Sequence, residues 1–454
     1  MSRVTGVHAR QILDSRGRPT VEVDVTTEDG EFGRAAVPSG ASTGTSEAQE
    51  LRDGTAEYDG LGVRVAVGHV NDEIALAVTG QDAHDQAAVD ALLVALDGTP
   101  QLRRLGANAV LAVSLALCRA AAAGQQLPLY RWIAELAGAP APSLPMPMVN
   151  ILSGGLHARG GMDVQDFLAV PASASSIEEA IAMAGRVRSA AADVMAARGL
   201  TTLLADEGGL SPGLPTGRDA LQLMTESIER AGLMPGEDVL VAIDVAAHSL
   251  WDPDRGDYQL AREGRRVGTA ELIEIICGWT GEFPVASIED ALDEEDWAGW
   301  QQLTRRLDGR VNLIGDDLFT TNLSRLRRGI SLGAANGVLV KVNQNGTLSG
   351  TLEVIAAARA AGWVPVVSAR SGETEDAFIS DLAVGTGAGQ IKIGSVRCSD
   401  RLAKYNQLLR IAEDPALGFA GMTGYPRHAG QLPGPAAQLP GPAAQLAGRP
   451  GQQP

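Results

Sequence analysis

Apolar and polar residues alternate along Val21-Glu22-Val23-Asp24-Val25, and the pattern breaks at Glu28-Asp29-Gly30. A period of two ending in turn residues predicts a small antiparallel sheet within roughly the first 60 residues. From about residue 66 to 137 apolar positions recur at helical spacing instead, and residues 109–123 are almost wholly apolar, which predicts a helix buried on every side. Residues 1–137 therefore read as a strand-then-helix α+β domain. A Pro-rich joint, Ala139-Pro140-Ala141-Pro142-Ser143-Leu144-Pro145-Met146-Pro147, follows it and marks a domain boundary.

Beyond the joint, over residues 138–426, short apolar runs alternate with helical stretches. The runs end at Gln165-Asp166, Asp206-Glu207, Asp244, Glu289-Asp290, Asp316-Asp317, Lys341, Arg370-Ser371 and Lys392. Eight such endings predict an α/β fold in which eight strands close a barrel and present their C-terminal ends at one mouth. Charges that merely mark where strands reach water would account for two or three endings. They would not account for carboxylates gathering in the earlier ones and cations in the last three. Residues 427–454 repeat Gln-Leu-Pro-Gly-Pro-Ala-Ala, a composition that buries no core and predicts a disordered tail.

The strand-end residues suggest chemistry. Asp244, Glu289 and Asp316 follow apolar runs on successive predicted strands, an oxygen-only set that suits Mg²⁺ better than Zn²⁺; the competing reading is that they cap the next helices. Lys341 ends the run Gly337-Val338-Leu339-Val340. Partial desolvation and nearby metal charge would disfavour its ammonium form and make it a general base, whereas a lone strand-end lysine serves as readily as a phosphate ligand. Glu207, before Gly208-Gly209, is placed to protonate a leaving hydroxyl, or is an ordinary acidic turn. Arg370, Ser371 and Lys392 offer donors for phosphate and carboxylate, with salt bridging as the alternative. Pro38-Ser39-Gly40-Ala41-Ser42-Thr43-Gly44 has the small, hydroxyl-rich character of a lid or of a hairpin connection. His157, on a Gly-rich loop, is either an anion ligand or structural.

The chain has 454 residues, 45% of them hydrophobic, enough for more than one domain. Its formal charge of −18 argues against nucleic acid and anionic membranes as partners, so an acidic substrate requires cations concentrated in one cleft. Cys118, Cys277 and Cys398 form no CxxC pair, as expected for a reducing compartment, with packing the expected role of the first two. No charged-then-apolar leader opens the sequence, and the expectation is a soluble cytoplasmic protein.

Several stretches together resemble the enolase family, over residues 5 to about 415. They are Leu13-Asp14-Ser15-Arg16-Gly17, the 38–44 loop, Glu50-Leu51-Arg52-Asp53-Gly54, Leu105-Gly106-Ala107-Asn108-Ala109, Asp206-Glu207-Gly208-Gly209 and Ser287-Ile288-Glu289-Asp290. To these add Gly315-Asp316-Asp317-Leu318, Lys341-Val342-Asn343-Gln344, Arg370-Ser371-Gly372-Glu373-Thr374-Glu375-Asp376 and Lys404-Tyr405-Asn406-Gln407-Leu408-Leu409-Arg410. The resemblance implies an N-terminal α+β domain capping a modified (β/α)8 barrel, assembled as a homodimer or a ring of dimers. By matching position it implies that Asp244, Glu289 and Asp316 bind one Mg²⁺ and that Ser39 on the lid helps bind a second. Lys341 would take the proton beside the carboxylate of 2-phosphoglycerate, a small phosphorylated three-carbon acid, and Glu207 would assist loss of the carbon 3 hydroxyl. Arg370, Ser371 and Lys392 would hold phosphate and carboxylate, with His157, Gln165 and Asp166 beside them.

This chain departs from the family pattern around the site. Asp166 stands where Glu is usual and Ala369 where His is usual; Arg159-Gly160-Gly161 replaces small or amide residues; Asn345 replaces Ile, and His248-Ser249-Leu250 replaces Ser-Glu-Phe. Retained ligands inside an altered surround imply a specialised paralogue. The simplest expectation is dehydration of 2-phosphoglycerate as in glycolysis. The alternatives are a carboxyphosphonoenolpyruvate synthase, which joins a phosphonate co-substrate to an enolpyruvate skeleton in phosphonate antibiotic biosynthesis, and an inactive scaffold. Restoring Asp166→Glu with Ala369→His is expected to raise turnover of 2-phosphoglycerate, followed as enolpyruvate absorbance. No gain would dismiss these two positions as the source of altered specificity.

Overall fold

The computed structural model describes residues 2–40, 44–138 and 141–426. The expected tail at 427–454, positions 41–43 of the lid and the first two residues of the Pro-rich joint lie outside them. The alternating N-terminal segment forms β1 (Val4–Leu13), β2 (Pro19–Thr27) and β3 (Phe32–Ala36), an antiparallel sheet in the order β1-β2-β3. Val21, Val23 and Val25 are fully buried on one face. On the other, Arg34 Nε donates to Asp24 Oδ1 at 2.6 Å and Arg10 pairs with Glu22 and Asp24, which is how alternation becomes a half-buried sheet.

Of the helices α1 (Gln86–Asp97), α2 (Ala107–Gly124) and α3 (Leu129–Ala137), α2 packs on β2 and β3, and α1 and α3 pack against α2. The Ala-rich surface of α2 lets it lie directly on the strands. A Cβ built on Gly33 of β3 would fall 2.0 Å from the Ala116 carbonyl oxygen, so the approach depends on glycine there. Among the described residues α2 is the one helix long and apolar enough to cross a membrane, yet 83% of it is buried inside the protein. Cys118 lies buried within it, Cys277 is half-buried and Cys398 exposed.

The barrel closes in the order β7-β8-β9-β10-β11-β4-β5-β6. Its strands are β4 (Met146–Ser153), β5 (Asp166–Val170), β6 (Leu240–Asp244), β7 (Val285–Glu289), β8 (Asn312–Gly315), β9 (Gly337–Val340), β10 (Val364–Ser368) and β11 (Gln390–Gly394). All neighbours run parallel except β4 with β5 and β5 with β6. After β5 the chain forms two successive helices, α4 (Ile177–Ala197) and α5 (Gly217–Arg230), before returning through β6.

Three strand expectations need correction. Met146-Pro147, read as the end of the Pro-rich joint, open the first barrel strand, Met146–Ser153; Gln165-Asp166 begins a strand instead of ending one; Asp206-Glu207 lies in the loop between α4 and α5. Pro147 is tolerated in β4 because the amide of its neighbour Met146 serves the β11 side, bonding Gly389 O at 2.9 Å, while pairing with β5 starts only at Val149. Since β5 runs backwards, its first residue sits at the rim where β4 and β6 end, in register as Ser153↔Asp166 and Asp166↔Asp244. Asp166 thus reaches the mouth by reversed polarity.

The helices after β6, β7 and β8 are α6 (Thr269–Glu282), α7 (Trp297–Leu307) and α8 (Leu323–Leu332). They are capped by Gly268, Asp296 and Asn322, so Asp244, Glu289 and Asp316 are not helix caps. The lower barrel is filled by Met146, Met148, Leu168, Leu240, Ile314 and Leu339, and Tyr425 from the C-terminal segment packs against them. The Tyr425 ring is 7% exposed and its hydroxyl is buried without a hydrogen-bond partner. Tyr425→Phe is therefore expected to keep or raise the thermal midpoint, by about 1 kcal/mol. Tyr425→Ala should cost about 3 kcal/mol or more through the cavity it leaves. A Phe variant as unstable as the Ala variant would contradict this packing.

Candidate active site

Above the apolar plug the barrel interior turns polar, and the strand ends supply charge. Asp244, Glu289 and Asp316 are 3%, 5% and 6% exposed, and burying carboxylates is costly unless cations reach them. The last strand supplies one: Lys392 Nζ lies 2.8 Å from Asp244 Oδ2 and 2.7 Å from Glu289 Oε2. Asp316 pairs with Lys341 and accepts Gln344 Nε2 at 2.8 Å. Gln165 Nε2 reaches Asp244 Oδ2 at 3.2 Å.

Two oxygens are left over. Glu289 Oε1 and Gln165 Oε1 are buried without a hydrogen-bond partner among the described residues. Burial, followed by the charges of Asp244 and Asp316, pushes the Glu289 carboxyl well above the usual carboxylate range. An all-oxygen set with an orphaned donor and more negative charge than its two lysines relieve fits a hard divalent cation, with Asp244, Glu289 and Asp316 as ligands. Tighter groups, with ligand atoms within 4.8 Å of one another, are His157–Asp166–Glu207 and Asp290–Asp316–Asp317. Asp290 accepts the Asp316 and Asp317 amides at 2.8 and 2.9 Å, bracing the end of β8. The signal for it was the second carboxylate of the Glu289-Asp290 pair.

Lys341 differs from expectation. Burial lowers its pKa, but Asp316 more than compensates and the ammonium form is favoured. A cation shared by Asp316 would weaken that pull, leaving burial, Arg370 and Lys392 to favour the free amine. His157 and Glu207 form a second centre. His157 Nδ1 is 2.8 Å from Asp166 Oδ2 and its Nε2 is 3.7 Å from Glu207 Oε1. Burial opposes the imidazolium, but Asp166 and Glu207 outweigh it and raise His157 to about 9. The other Asp166 oxygen accepts Asn150 Nδ2 at 2.7 Å and Ser153 Oγ at 2.8 Å. Asp166, wholly buried, stands behind His157 and acts through it.

Arg370 Nη1 donates to Glu47 Oε2 and Asn343 Oδ1, both at 2.9 Å. Arg401, fully buried, donates to the Arg370 and Ser371 carbonyls at 2.7 and 2.8 Å. Nothing in the local sequence pointed to Glu47 or Arg401, because both act from distant segments. The Ser39 hydroxyl bonds Asp14 at 3.1 Å and Arg16 at 2.7 Å, and none of its hydrogen bonds goes to the three carboxylates. Its backbone instead exchanges bonds of 2.8 and 2.9 Å with Gly372, docking the lid's start on the anion-binding loop. His157, Gln165, Glu207, Lys341, Arg370 and Lys392 line one cavity of about 20 Å³, with Asp244, Ala369 and Ser371, room for about one water. Ligand entry therefore requires the covering loops to move.

Residues 141–424 match the family model described as Enolase, C-terminal TIM barrel domain, and residues 4–133 match that described as Enolase, N-terminal domain. Supplying Mg²⁺ at about 100 times its dissociation constant is expected to add about 2.7 kcal/mol of stability, read as a rise in thermal midpoint. Glu289→Gln should lose most of that rise; an undiminished rise would remove Glu289 from the ligand set.

Proposed function

The chain belongs to the enolase family, and from that premise we propose that it is a Mg²⁺-dependent lyase converting 2-phosphoglycerate to phosphoenolpyruvate through an enolate. The observation that carries this reading is the single small cavity in which Lys341 and Glu207 meet Arg370, Ser371 and Lys392. A base, an acid and anion-binding cations occur together there. Mg²⁺ on Asp244, Glu289 and Asp316 would neutralise the charge that develops on the substrate carboxylate.

The chain's own groups do the rest. Arg370, oriented by Glu47 and Asn343, binds phosphate together with Ser371, and Lys392 supports the carboxylate. Lys341 Nζ takes the proton from carbon 2. The electron pair of that C–H bond moves onto the carboxylate to give the enolate, and from there it becomes the carbon 2–carbon 3 double bond as the carbon 3 hydroxyl departs. Burial is outweighed by the charges of His157, Arg401 and Lys392, which keep Glu207 ionised at rest. Glu207 therefore takes the proton of His157, held charged by Asp166 beside it, and passes it to that hydroxyl, which leaves as water. A silent scaffold is disfavoured, because it would gain nothing from buried, mutually repelling carboxylates.

The test is the purified full chain with Mg²⁺ and 2-phosphoglycerate, watching enolpyruvate absorbance and solvent-deuterium exchange at carbon 2. Lys341→Ala is expected to abolish both. Glu207→Gln should slow dehydration by about 100-fold or more while exchange persists. Exchange unaltered in the Lys341 variant would take that residue out of its role.

A further inference from the structure

Outside the closed cavity lies a larger one, of about 720 Å³, and His157 lines both. Its walls carry three arginines from two separate segments: Arg16 and Arg18 on the turn after β1, and Arg159 on the loop between β4 and β5. In a chain of formal charge −18 such a grouping is unexpected. Asp206 is the one acidic residue on the wall among the described residues. No ion pair or side-chain hydrogen bond engages the guanidinium of Arg18 or of Arg159 among those residues, and both side chains are exposed.

The site is built. Asp14 Oδ1 accepts the Arg16 and Arg18 amides, each at 2.9 Å, and the Asp14 amide returns to Arg18 O at 2.8 Å, so the turn has a defined shape. Arg159 is held at φ +51°, a left-handed backbone that a bulky residue rarely adopts, by the bonds Gly160 N to Gly155 O at 2.7 Å and Gly161 N to Ala158 O at 3.1 Å. The Arg16 side chain is only 9% exposed. Its Nη2 pairs with Asp14 Oδ2 at 3.4 Å and donates to Ser39, whereas its Nε and Nη1 are buried with no hydrogen-bond partner among the described residues. Two unsatisfied cationic N–H groups in a wall that also bears two unpaired guanidiniums leave room for an anionic acceptor. The rest of the rim is apolar: Leu156, Leu203 and Leu204 are 49%, 73% and 49% exposed.

We propose that this vestibule is a second anion site that binds the phosphate or phosphonate group of an organic molecule whose apolar portion rests on Leu156, Leu203 and Leu204. It adjoins the first site through His157, and it rests on the reading above only for what that first cavity holds. Its occupant is an effector that acts on the loop carrying His157.

Calorimetric titration of the full chain with Mg²⁺, using phenylphosphonate and inorganic phosphate as probes, with and without saturating 2-phosphoglycerate, decides the matter. Wild type is expected to bind one equivalent of phenylphosphonate in both conditions, more tightly than inorganic phosphate. The double variant Arg18→Glu, Arg159→Glu should weaken that binding about tenfold or more with an unchanged thermal midpoint, since both side chains are exposed. Undiminished binding in the variant, or displacement of the probe by 2-phosphoglycerate, overturns the proposal. Inorganic phosphate binding as tightly as phenylphosphonate overturns the organic ligand. Full recovery of the probe from the mixture is expected of an effector, and its consumption would overturn that role. Binding measured without 2-phosphoglycerate stands even if that acid is not turned over.

Discussion

Everything at the mouth of this barrel depends on compensating buried negative charge. Asp244 and Glu289 are held together by the ammonium of Lys392, and Asp316 by Lys341. Remove the lysines and three carboxylates stand nearly dry beside one another, a state whose cost falls on folding itself. The compensation is incomplete, since Glu289 keeps an orphaned oxygen and a raised pKa. That residual demand for positive charge is what the proposed divalent cation would meet, and the lysine it would release from Asp316 is the proposed base.

The surrounding structure transmits precision to these groups. Glu47 and Asn343 orient the Arg370 guanidinium, Arg401 donates to the two successive carbonyls of Arg370 and Ser371, and Asn150 with Ser153 fixes Asp166 behind His157. Gly208 and Gly209 let the Glu207 loop close on the barrel: a Cβ on Gly209 would lie 2.4 Å from Ser153 Oγ. Asp166 and Ala369, where the chain departs from the family pattern, occupy different tiers. Asp166 acts on His157, whereas Ala369 lines the cavity itself. In the proposed reaction the first would bear on proton supply and the second on what the cavity admits.

Much of this was legible in the residues alone. The alternation around Val21, Val23 and Val25, the apolar helix over Ala107–Gly124 and the runs ending in Asp244, Glu289, Asp316, Lys341 and Lys392 each follow from local burial, because a strand or helix with a dry face must carry apolar residues at its own period. Where local burial is a poor guide the reading slipped. The prolines at 145 and 147 disguised a strand, because an unpaired N–H position tolerates what a paired one would not. The short stretch before Asp206-Glu207 resembled a strand although it connects two helices.

The sequence by itself determined the identity of the chemical groups and the two-part organisation of sheet-and-helix domain and barrel, since both are set by composition and periodicity along the chain. Only the tertiary structure decided the direction of β5, which carries Asp166 to the mouth, the partner of each charge, and the meeting of Arg16, Arg18 and Arg159 around one vestibule. Those depend on contacts between segments far apart in sequence, and a residue's own neighbours along the chain carry no record of which distant atom will come within 3 Å of it.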